Sequence, residues 1–378
     1  MPSFKQALIQ RLKALRGRLR YIAQWRTPLP VYEYRGRLRQ SEQEVCLIFI
    51  GSSQLLSEAF FTHEPKRRQL AQVTAWSAST YLRTLLKQRG ASNEVAIDLA
   101  LLPHLPWQAV PPSDLLLPDY LEARIPFPAS YSDWLTQLRD NTRRSVQQAQ
   151  KLGVTFRRAS CEADYAYFHQ HLLTPYMQAR HGYNCYVEPL AEFCADTRHA
   201  VLELLELQGE IVAGFHLKMP AHADATYFNK VGLSPASFAD KTRMRLLNSL
   251  IYARMAELSL AAGYTGMELG ITPAIMAHGI LWYKAGWGAE FRANQNHQRY
   301  CLSLCSERAS SLLAAIPALI TLKRGDQLSA SGWYLADADQ AQIAQQGAEL
   351  EKFRFAGLSD IQLNCARPVT SAHDKAEP

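Results

Sequence analysis

The sequence predicts an α/β protein built of two lobes, and three observations lead there. Its 378 residues suit two domains or one large one. The first third alternates strand-like and helix-like runs, while the middle carries a hairpin, a further strand, a long helix and a short strand, in that order. Apolar residues make up 48% and charged ones 20%, which suits a chain with a substantial core and argues against global disorder.

The same composition excludes several classes. No run of 18 apolar residues occurs, so no spanning helix is expected, and no apolar stretch follows the basic N-terminus, so no signal peptide is expected. The seven cysteines (46, 161, 185, 194, 301, 305 and 365) form no C-x-x-C pair, which favours a reducing cytoplasm over a zinc site or a disulfide framework. No metal site is expected. A net charge of +7 suits an anionic partner: a phosphate-bearing carrier, a tRNA or a lipid surface.

Taken in order, residues 1–26 form a basic amphipathic helix. Phe4, Leu8, Leu12, Leu15, Leu19 and Ile22 make an apolar stripe, and every charge before Glu33 is positive. That pattern fits an anionic membrane surface met by residues 4–22, at the inner face of the membrane. It equally fits a helix packed on its own domain, and a transit peptide is a third reading.

Residues 27–130 read as a first α/β lobe. Glu44–Ile50 is a buried strand, Gln69–Lys87 a helix stopped by Gly90, and Glu94–Leu102 and Leu121–Phe127 are two more strands. No phosphate-binding glycine loop appears in it. Residues 131–305 form the second lobe. Ser132–Leu152 is a helix ended by Gly153, and Ala163–Gly182 is another. Ala200–Gln208 and Ile211–Met219 pair as a hairpin through Gly209, and Ala225–Gly232 is the next strand. A loop at 233–241 leads into a helix that starts near Thr242 and stops at Gly263. Tyr264–Leu269 is a strand, Ala274–Lys284 a helix, and the run through Cys301 and Cys305 a strand with both thiols half-buried. Residues 306–366 read as a helical extension, with helices at Glu307–Leu322 and Asp337–Phe353, and 367–378 as a disordered tail.

Two stretches carry a family resemblance. From Gly263 to Arg292 the chain reads GYTGMELGITPAIMAHGILWYKAGWGAEFR, and from Tyr131 to Thr155 it reads YSDWLTQLRDNTRRSVQQAQKLGVT. The first resembles the second half of the Fem-type, GNAT-fold acyltransferases. In that family a strand of the form φ-D/E-φ-G precedes a helix with an aromatic-Lys pair and then F/W-G-A. Here these are Met267-Glu268-Leu269-Gly270, Tyr283-Lys284 and Trp287-Gly288-Ala289. The second stretch resembles the helix by which the family enters its catalytic half. The resemblance covers residues 130–305 well and 30–130 loosely. It implies two GNAT-like lobes of mixed sheet flanked by helices, the second being catalytic.

The resemblance also implies a site. Lys284 falls where the family places a lysine near the reacting carbonyl, with Tyr283 and Trp287 beside it. From its place in a short strand between Met267 and Leu269, Glu268 is expected to accept the amine proton, orient Lys284, or form a structural ion pair. His181 and Arg180 fall at the opening of the acceptor cleft, and Arg143 is expected to contact substrate or fix the lobes. Tyr227 and Asn229 are expected to line the donor cleft.

A helix N-terminus at Lys241, Thr242 and Arg243 would meet a phosphate through free N–H groups and its dipole. The usual GNAT phosphate loop, Q/R-x-x-G-x-G/A, is nevertheless missing, since SPASFADKTR holds no glycine. The expected reaction is acyl transfer from acyl-CoA or acyl-carrier protein to an amine, either a small molecule or a cell-envelope component. Transfer from aminoacyl-tRNA is the rival, and the lack of sustained heptads for a tRNA-binding coiled coil favours the thioester. A non-catalytic membrane-surface protein of the same fold is the third reading. DNA is not an expected partner.

Overall fold

The computed structural model describes residues 26–38, 43–51, 60–61, 63–91, 96–105, 108–111, 114–181, 186–195, 199–294, 298–316, 318–323 and 326–366. The basic stripe at 4–22 and the tail from 367 lie outside the described residues. The chain divides into two compact units. Unit 1 is Met1–Leu121, Ile271–Trp282 and Phe291–Pro378, and unit 2 is Glu122–Gly270 and Tyr283–Glu290. The architecture is mixed α/β, with mixed sheets flanked by helices, as the sequence predicts.

Unit 1 opens with strands β1 (Leu29–Arg37), β2 (Glu44–Ile50) and β3 (Lys66–Val73), helix α1 (Ala78–Ala91), and strands β4 (Leu99–Pro103) and β5 (Leu115–Pro118). The helix expected from Gln69 starts nine residues later, at Ala78. Gln69–Val73 instead pairs antiparallel with β1, for example Ala71 with Val31, so long-range pairing overrides the local pattern. The Ser77 hydroxyl and Thr74 then close the turn that starts the helix.

Unit 2 begins along β6 (Tyr120–Pro126) and continues with α2 (Tyr131–Gln137), α3 (Asp140–Gln150), β7 (Thr155–Arg158) and α4 (Glu162–Tyr167). The single helix expected over 132–152 is two, because Leu138 and Arg139 leave the helical region with ψ of 148° and 144°. A π turn (Phe168–Leu173), α5 (Thr174–His181) and α6 (Leu190–Ala195) come next. They precede the hairpin β8 (Ala200–Leu207) and β9 (Glu210–Lys218), then β10 (Ala225–Leu233) and α7 (Pro235–Ala239). The 21-residue α8 (Lys241–Ala261) crosses to β11 (Gly266–Pro273), parallel to β10. The strands of this unit lie in the order β6-β11-β10-β9-β8-β7. Phe168, Leu172, Leu173, Phe193, Leu202 and Leu204 form the buried cluster under the hairpin.

The last elements are α9 (Gly279–Gly286), β12 (Glu290–Ala293), β13 (Arg299–Leu304), α10 (Ala309–Ala314), β14 (Leu319–Leu322), β15 (Leu328–Leu335), α11 (Gln340–Glu351) and β16 (Leu358–Ala366). The helix expected at 274–284 therefore starts five residues late. Its first residues make an isolated bridge to β14 at Ile275 and then turn, with Met276 N donating to Ala318 O and Ile320 N to Ala274 O. β13, placed by the sequence at the end of the second lobe, joins the unit 1 sheet between β4 and β5. The segment 306–366, expected to be helical, also holds three strands: β14 pairs antiparallel with β15, which pairs parallel with β16. Leu319–Leu322 is buried at all four positions, which suits a strand buried on both faces.

Candidate functional site

The site of unit 2 grows from one parallel strand pair that separates early. β10 and β11 share only Ala225–Gly266, Thr226–Met267 and Tyr227–Glu268, after which β10 stays paired with β9 alone. The register on the β9 side slips at Asn229, a bulge that adds bend and twist to β10 just where the pair parts.

Lys284 comes to this point from α9. Its side chain is only 6% exposed, and Nζ donates to Gly270 O at 3.2 Å, two residues past the last β10–β11 pair. Burial lowers its ammonium from 10.5 to about 8. A lysine there is a compact charge with little water around it, suited to meeting a developing oxyanion.

Aromatic rings wall the lysine's helix. Trp287 stacks on Tyr252 of α8 (4.8 Å between centroids) and on Trp134 of α2 (6.1 Å), and Tyr283 meets Tyr252 edge-on at 5.5 Å. Phe228 of β10 extends the row against Tyr252. Tyr252 is buried, and its phenol is held well above its ordinary value by that burial. Tyr283 is 43% exposed, so it forms the open side of the wall.

Arg180 of α5 completes the group. Its Nη1 donates to Tyr176 OH at 2.6 Å, and its charge acts on the phenols of both Tyr252 and Tyr283. Among the described residues no carboxylate pairs with it, so an exposed guanidinium and neighbouring phenols converge without a built-in anion.

The structure thus brings Tyr283, Trp287 and Arg180 together and places Lys284 next to Tyr283 in α9 with its Nζ on Gly270 O, all four singled out by sequence. Others are engaged differently. Glu268 lies in an ion pair with Arg124 (3.5 Å), which also binds Asp224 (2.9 Å). Tyr227 is exposed on β10, whereas Asn229 Nδ2 donates inward to Nδ1 of the fully buried His216 at 2.8 Å. Arg143 clamps the corner between α2 and α3, bonding Asp140 Oδ1 at 2.6 Å and Thr136 O at 3.2 Å. His181 ends α5, and its side chain lies outside the described residues.

The start of α8 differs most from expectation. Lys241 and Thr242 are exposed, but the N–H groups of Thr242 and Arg243 both donate to Asp240 Oδ1, at 2.9 and 3.0 Å. A capping carboxylate uses the donors and opposes the dipole that a phosphate would need. Sequence reasoning missed this cap, although an Asp directly before an apolar helix is its standard signal. It also missed Tyr176, Tyr252 and Trp134, whose helical spacing reads as ordinary core.

No protein-family model matches the chain, and no curated protein matches it. Among solved structures the chain is similar to FemX, with 14% identity over 71% of this chain and 82% of that one, TM-score 0.39. It is similar to the C-terminal domain of a putative lysylphosphatidylglycerol synthetase from Agrobacterium fabrum, at 14% identity, 72% and 80% coverage and TM-score 0.34. It is also similar to a putative GNAT-family acetyltransferase from Novosphingobium aromaticivorans, at 18% identity, 62% and 83% coverage and TM-score 0.26.

Proposed function

We propose that unit 2 is an N-acyltransferase, which moves an acyl group from an activated ester or thioester to an amine. The observation that carries this reading is Lys284, a buried lysine held at the parting of two parallel strands with an aromatic wall beside it. The amine attacks the acyl carbonyl carbon, a C–N bond forms, and the carbonyl electron pair moves onto oxygen. The Lys284 ammonium stabilises that oxyanion, and collapse of the intermediate expels the thiolate or alkoxide. Glu268, two residues before Gly270 on the same strand, receives the amine proton. Arg180 and Tyr176 hold an anionic group of the acceptor, and Tyr283 and Trp287 pack against its apolar part.

The donor reading starts from acyl-CoA or acyl-carrier protein, with Lys241 and Arg243 contacting phosphate through their side chains. The Asp240 cap favours a second reading, in which the donor's phosphates bind elsewhere, as in an aminoacyl-tRNA. The test is to incubate the protein with acyl-CoA, acyl-carrier protein and aminoacyl-tRNA in turn, each with a panel of amines, and to read products by mass spectrometry. N-acylated product from one donor class, lost in Lys284→Met, supports the proposal. No product from any class makes this a binding protein instead.

A further inference from the structure

The helix that delivers Tyr176 and Arg180 is interrupted by a π turn, and the sheet beneath it carries a matching device. Residues 162–181 run as α4, the π turn Phe168–Leu173 and α5. Beneath the turn, Gly214 of β9 and Gly232 of β10 are direct cross-strand partners. A Cβ at Gly232 would lie 2.6 Å from both Leu172 C and Leu173 N, and one at Gly214 would lie 2.8 Å from Phe168 Cδ2. Two facing glycines thus leave a side-chain-free patch on which the turn rests, its backbone over Gly232 and the Phe168 ring over Gly214. Further bonds pin the widened turn: Thr174 Oγ1 donates to His169 O at 2.8 Å, and His169 Nε2 is bonded to Glu188 O at 2.7 Å.

A π turn takes up one extra residue, and each residue of an α-helix advances the phase by about 100°. Closing the turn to α geometry would therefore rotate α5 by about 100° relative to α4. Tyr176 and Arg180, four apart on one face, would swing away from Tyr252 and Tyr283 together.

We propose that the Gly214–Gly232 patch and the π turn seated on it set the phase of α5, making Gly232 a positioning residue that holds Tyr176 and Arg180 on the substrate side of the site. The link to substrate rests on the function proposed above, and the link to phase does not. Gly232→Ala must displace the turn, because its new methyl meets backbone atoms. Thr174→Val loosens the turn by removing its hydroxyl bond without adding bulk.

The experiment places 3-fluorotyrosine at position 283 and records its fluorine resonance beside a melting curve. Arg180→Ala should move the resonance, and Gly232→Ala and Thr174→Val should move it in the same direction while melting stays cooperative. Folded Gly232→Ala and Thr174→Val proteins with the resonance at its wild-type position would overturn the proposal, as would a resonance indifferent to Arg180→Ala. If Gly232→Ala does not melt cooperatively, Thr174→Val alone decides.

With an acceptor in hand, Gly232→Ala should raise its KM about ten- to a hundredfold, the effect of losing a charged hydrogen-bond partner, with kcat much less changed. It should add nothing in the Arg180→Ala background. A fluorine shift without this KM effect would reject Arg180 as the acceptor's anchor and leave the phase device standing.

Discussion

Replacing Lys284 with methionine tests the environment from which its chemistry follows. The fall of the ammonium from 10.5 to about 8 means that the folded chain carries about 3 kcal/mol of cost whenever this lysine is charged. The sign follows from proton counting. Below pH 8 the lysine is charged in both states, and the full cost is present. Between pH 8 and 10.5 the unfolded chain holds the proton and the folded chain does not, so this group makes stability rise with pH across that window. Above 10.5 it contributes no further slope.

Lys284→Met keeps the apolar stem and removes the charge. It also deprives Gly270 O of the Nζ donor, a loss of about 1 kcal/mol. The net expectation at pH 7 is a variant more stable by about 2 kcal/mol, or about 4–8 °C in Tm. Scanning calorimetry of both proteins from pH 6 to 10.5 reads it: the gap should be constant up to pH 8, then close and, by pH 10.5, reverse by about 1 kcal/mol. Parallel curves across the whole range, or a variant less stable at pH 7, would refute the reasoning.

Other outcomes follow from the same geometry. Asp240→Asn keeps a capping acceptor and removes a charge, so stability should change by less than about 0.5 kcal/mol. Affinity for a phosphate-bearing donor should then rise about two- to fivefold if its phosphates meet α8, and titration calorimetry would show an unchanged value if they bind elsewhere. In unit 1, the fully buried Asp98 accepts from Arg308 Nε and Nη2, both at 2.7 Å, and from Ser306 and Cys46 N. Arg308 is half exposed and can turn to water, so Asp98→Ala leaves chiefly the buried Cys46 N–H unmet and should lower urea-unfolding stability by about 1–3 kcal/mol. Burial pushes the thiols of Cys301 and Cys305 up to about 12, so iodoacetamide at pH 8 should label exposed Cys161 first, as peptide mapping would show.

Local chemistry made much of unit 2 legible. Gly263 sits at φ 81°, the left-handed value that ends a helix, and Gln208-Gly209 turns the hairpin with both φ positive. The alternation of β8 and β9 and the Tyr283-Lys284 and Trp287 spacing are local in the same way. What stayed hidden depends on distant partners. β3 is a strand because β1 pairs with it, and residues 274–276 are not helical because they bridge and bond to β14 and Ala318. The π turn has no local signature. It is matched to Gly214 and Gly232, which lie some 40 to 60 residues further along the chain. Leu319–Leu322 is apolar without a period, so only its burial between elements separates strand from helix.

The central claim is that Lys284 stands at the acyl carbonyl, and single-turnover acyl transfer at saturating donor tests it most directly. Lys284→Met should transfer about ten- to a thousandfold more slowly than wild type while binding the donor as tightly, the range for losing an oxyanion partner. Lys284→Arg should restore little, because a planar guanidinium cannot place one compact donor beside Gly270 O. Transfer by Lys284→Met at the wild-type rate would contradict the account and leave the lysine a structural residue.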